Sequence, residues 1–112
     1  MKPTKAKLLD HLEIEGWDVL HVQDGELDWW ADEIWELISR WSPQGVRAFL
    51  TFLVDPQWEG PRPKGSAVWA IGLCGRHPED RHEARSAGQI YARPSKANME
   101  ELIEALDRIR WP

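Results

Sequence analysis

Residues 46–54 and 67–74 constrain this chain more than any other feature, because both are apolar at nearly every position and Arg47 is their one charge. Valine, phenylalanine, leucine and isoleucine in such runs favour extended backbone. Side chains of a strand point alternately to its two faces, so a strand apolar on both must be covered on both. With 112 residues there is length for one domain and one core of ordinary size. The chain therefore has to surround a sheet while having few elements to do it with.

The first of those elements is a helix. Leu8, Leu9 and Leu12 form a short apolar stripe, Thr4 suits its N-cap, and Gly16 suits the left-handed residue after its C-terminus. Trp17 then falls where such an ending places an apolar contact, against Leu12. Residues 17–23 read as a strand closed by the turn dipeptide Asp24 and Gly25. The last helix is equally clear: Met99, Leu102, Ile103, Leu106 and Ile109 share one face, and Ser95 or Asn98 can cap it. A short edge strand is expected at 90–92, after a polar stretch at 75–89 too charged to bury much.

Residues 28–41 admit two readings. Trp30, Ile34, Leu37, Ile38 and Trp41 match helical spacing. Ser42, Pro43, Gln44 and Gly45 instead match a type I turn closed by a glycine bulge, a common hairpin connection. The hairpin, over about 33–41 and 46–54, is the expectation adopted. A three-residue loop places Ser42 opposite Val46. One face then carries Ile34, Ile38, Val46, Ala48, Leu50, Phe52 and Val54, and the other carries Trp35, Leu37, Trp41, Phe49 and Leu53. The fold class that results is α+β, a two-layer sandwich. Its antiparallel meander sheet of four or five strands is flanked by an N-terminal and a C-terminal helix.

Charge narrows the partners. The net charge is −5, and residues 1–60 hold five Lys and Arg against twelve Asp and Glu. Nucleic-acid binding needs clustered cations and is disfavoured. No apolar run approaches the roughly 20 residues of a membrane helix, nor the core of a signal peptide. A single cysteine, Cys74, suits a reducing compartment, so a cytoplasmic protein is expected.

Motifs for chemistry are weak. Cys74, His77 and His82 have metal-ligand residue types, but their spacing fits no common zinc site and a fourth ligand is lacking. Neither imidazole is well placed to activate the thiol. The adjacent acids Asp32 and Glu33 read as solvated. Glu36 is expected among apolar neighbours and ion-paired with Arg40. No glycine-rich phosphate loop or dinucleotide fingerprint occurs, so no cofactor is expected.

Eight tryptophans remain, an excess for this length. With two helices for two apolar sheet faces, the expectation is a non-catalytic interaction module. Its Trp-rich face (Trp35, Trp41, Phe49, Leu53 and Trp69) would meet a second copy or a partner protein, a homodimer being the simplest case. The competing expectation is a small-ligand protein or enzyme whose pocket uses Trp29, Trp30 and Trp58 under the 55–66 loop.

Overall fold

A computed structural model describes residues 3–24, 30–42, 44–55, 57, 68–91 and 95–111. Helix α1 (Pro3–Ile14) leads into strand β1 (Trp17–Asp24), followed by β2 (Ala31–Ser39), β3 (Arg47–Val54) and β4 (Val68–Cys74). A one-turn helix α2 (Arg81–Ala84), strand β5 (Gly88–Tyr91) and helix α3 (Lys96–Arg110) complete the order. The strands form one antiparallel sheet in sequence order, β1-β2-β3-β4-β5. This is the α+β meander flanked by terminal helices that the sequence leads one to expect.

Local chemistry explains the element ends. Gly16 has φ +82° and ends α1, its N–H donating to the Glu13 carbonyl. Trp17 is fully buried in the same core as Leu8 and Leu12. Helix α1 starts at Pro3, so Thr4 lies inside the helix rather than capping it. Ser95 caps α3, its Oγ accepting from the Asn98 N–H at 3.2 Å.

Both helices cover the same sheet face. Leu8 and Leu12 of α1 and Met99, Leu102, Ala105 and Leu106 of α3 pack on Trp35, Leu37, Leu50, Phe52, Ile71 and Leu73. Trp35 meets Phe52 edge-on, with ring centroids 4.9 Å apart.

The hairpin exists but its register differs from the expected one. Trp35 pairs with Leu50, Leu37 with Ala48 and Ile38 with Arg47. The expected pairing is displaced by three residues, and an odd displacement exchanges the faces. The cause lies in the connection. Gly45 N–H does donate to the Ser42 carbonyl at 3.0 Å, closing the anticipated turn. The ladder, however, closes at the bond from Ser39 N–H to the Val46 carbonyl, so Arg40, Trp41 and Ser42 join the loop. Ser39 Oγ accepts from the N–H groups of Trp41 and Ser42 and holds that loop in shape. Trp35 therefore faces the helices, while Phe49 lies on the opposite side.

That opposite side is covered by the polar stretch after β4. Trp30, Ala31, Ile34, Leu53, Ala70 and Ala84 make a second apolar cluster, with Phe49 packed against it. Helix α2 approaches so closely that a Cβ at Gly72 would stand 2.4 Å from the Ala84 carbonyl oxygen. A segment expected to bury little thus supplies the missing layer, by using its small residues rather than an apolar stripe.

Candidate functional site

The register divides the expected Trp-rich face between the two sides of the sheet, with Trp35 in the cluster under the helices and Leu53 in the second cluster. Trp35 and Leu53 are buried, and Phe49 is partly covered by the His77 ring, edge-on at 5.7 Å. His77 Nε2 lies 2.7 Å from Gln23 Oε1, tying the segment after β4 across to β1. Trp30 is buried in the second cluster. Trp29 and Trp58 lie outside the described residues, as does the side chain of Trp69 on β4.

Trp41 is separated from all of these. It sits beyond β2 and is 50% exposed. Its indole lies against the backbone of Gly16, where a Cβ would approach the ring to 2.4 Å. On its other contact the Arg110 guanidinium stacks at 4.6 Å, and the same guanidinium stacks at 4.4 Å on Trp17. Arg110 is only 1% exposed; its Nη2 donates to the Glu15 carbonyl at 2.8 Å and lies 3.4 Å from an Asp107 carboxylate oxygen. Burial pulls its pKa down, and the carboxylates of Asp107 and Glu15 oppose that shift. Arg40 N–H donates to the Gly16 carbonyl at 2.7 Å, and the Arg40 side chain binds Asp18 and the Glu13 carbonyl. The end of α1, the β2–β3 loop and the end of α3 are thereby joined around one indole. Ile14, 73% exposed, and Trp111, 54% exposed, close the ends of the two helices involved.

Beside this end lies a groove of about 580 Å³ between α1 and α3. His11 and Glu15 line it from α1, and Lys96, Met99, Glu100, Ile103 and Glu104 from α3. Glu15 belongs to both features, through its carbonyl at Arg110 and its place in the groove.

The candidates for chemistry are not assembled. Cys74 is buried, and its thiol donates to the Arg76 carbonyl at 3.0 Å. Burial pushes its pKa up to about 11, outweighing the Arg76 backbone hydrogen bond that favours the thiolate, and makes it a poorer nucleophile. His77 is engaged by Gln23 and Phe49, and His82 is exposed. Among the described residues no three His, Cys, Asp or Glu side chains gather closely enough to hold a metal. Glu36 pairs with Arg47 across the hairpin instead of with Arg40.

Sequence reasoning missed one polar cluster. Lys5 Nζ lies 2.7 Å from Asp32 Oδ2 and 2.8 Å from Glu33 Oε1, and Trp35 Nε1 donates to the same Glu33 oxygen at 3.2 Å. The ladder shifts between Ala31 and Glu33, so these adjacent acids both reach Lys5 instead of alternating across the sheet. Asp32 is 3% exposed, which corrects its expected solvation. The Lys5 ammonium also lies 4.6 Å from the Phe52 ring, and the cluster staples the start of α1 to β2.

No family model, curated protein or solved structure matches this chain.

Proposed function

We propose that the protein is a non-catalytic interaction module, which binds a partner protein through the aromatic end formed by Ile14, Trp41 and Trp111. One observation carries this reading: Trp41 is half exposed, yet fixed between the Gly16 backbone and a buried Arg110. An indole held in place binds with little further loss of side-chain entropy, and anchors of this kind dominate interface energies. Together the three side chains expose on the order of 400 Å² of apolar surface, enough for the core of a patch but not for an obligate dimer. A heterologous partner therefore fits the end better than a permanently attached second copy. A cytoplasmic setting is part of the proposal, supported by the single unpaired cysteine.

Photo-crosslinking tests this directly. A benzophenone amino acid at position 111 or 14 should trap a distinct protein in expressing cells, and Trp41→Ala should remove the adduct. The same probe at Tyr91, which is exposed on β5, should trap none. Equal trapping from Tyr91, or trapping indifferent to Trp41→Ala, overturns the proposal. An adduct of twice the chain mass would transfer the surface to self-association.

A further inference from the structure

The groove between α1 and α3 adjoins the aromatic end through Glu15 and differs from it in charge. Its floor is apolar: Met99 is buried and Ile103 is partly so. Its walls carry Glu15, Glu100 and Glu104 against one ammonium, that of Lys96, which lies 4.0 Å from Glu100. Glu100 and Glu104 stand one helical turn apart, with Ile103 between them in sequence and on the same side of α3. A cleft of about 580 Å³ is within the range that encloses a ligand segment.

An apolar floor with carboxylate walls recognises a chain of opposite pattern. We infer that this groove takes a basic amphipathic segment of the partner, with one or two apolar side chains on Met99 and Ile103 and flanking Lys or Arg on the three glutamates. Helix-in-groove recognition has this form, with apolar anchors on one face and charges beside them. The alternative occupants fit less well. A second copy would bring its own glutamates against these, since an isologous contact opposes identical surfaces. An acidic segment meets net negative charge. The inference rests on the interaction-module reading and adds the chemistry of the partner.

A random 15-residue peptide library displayed on phage, selected on the whole protein, provides the test. Enriched peptides should carry Lys or Arg around one or two apolar residues. Their affinity should fall at least tenfold in the Glu15→Lys, Glu100→Lys, Glu104→Lys triple variant, and should weaken as salt rises from 50 to about 300 mM, as ionic contacts do. These glutamates are at least partly exposed, and circular dichroism should confirm that the triple variant folds. Enrichment without basic residues, affinity unchanged in the triple variant, or no enrichment overturns the inference. Trp41→Ala separates the two levels. Peptides that lose binding with Trp41→Ala but not with the triple variant leave the module standing and remove the groove. Peptides indifferent to both remove both.

Discussion

A Cβ placed on Gly72 would stand 2.4 Å from the carbonyl oxygen of Ala84, so the fourth strand and the one-turn helix α2 are in backbone contact. This approach lets a short polar segment seal the second sheet face over Leu53 and Ala70. Because the neighbour is backbone, Gly72→Ala has to displace α2. We expect a loss of about 2 kcal/mol, in the range of overpacked sites, measured by urea unfolding. Hydrogen exchange should quicken around Ala84 and leave α1 and α3 unchanged. Unchanged stability would mean that α2 is not held against the sheet.

Trp35 and Trp41 should respond unequally to truncation. Trp35 fills the core between the sheet and the helices, so Trp35→Ala should cost about 3–5 kcal/mol, as large aromatic deletions do. Trp41→Ala removes a half-exposed ring and one cation–π contact, for about 1 kcal/mol. Thermal unfolding of the two variants checks the ranking.

Lys5 stands between two carboxylates near the start of α1. Breaking such a buried arrangement from one side is expensive, and Lys5→Ala should cost about 3 kcal/mol. Lys7→Ala, two residues away and exposed, should change stability by less than about 0.5 kcal/mol. Denaturant midpoints of the pair separate the cluster from any general effect of charge. The triple variant Lys5→Met, Asp32→Asn, Glu33→Gln should recover part of the loss, because the facing charges leave together.

Cys74 links stability to alkaline pH. Burial raises its pKa from about 9 to about 11, so the folded chain holds the thiol proton more tightly than the unfolded one. The corresponding stability is complete below pH 9 and is lost as the pH rises from 9 through 11. Comparing wild type with Cys74→Ala across that window should show a steeper decline in wild type. At pH 8 a thiol reagent should modify the folded protein far more slowly than the unfolded one. Rapid labelling without unfolding would contradict the burial of the thiol.

Residues near one another along the chain account for its elements. The punctuation by Gly16 and Ser95, the stripe of α3 and the doubly apolar run at 46–54 each depend on residues close along the chain. Elements and their order follow from such short-range chemistry. The strand at 90–92 was legible in the same way, although β5 runs from Gly88 to Tyr91.

The faces and the surface depend on packing between distant segments. Ser42, Pro43, Gln44 and Gly45 encode a turn, but not where the ladder resumes. Three residues moved into the loop sent Trp35 to the core and left Trp41 outside. The cover of the second face depends on Ala84 meeting Gly72, and the polar staple on Lys5 meeting a bulge 27 residues away. Neither contact leaves a periodic trace, because each joins distant segments through one or two atoms. The site at Trp41 has the same origin. Trp17, Trp41 and Arg110 are far apart along the chain, and only packing places a buried guanidinium between two indoles.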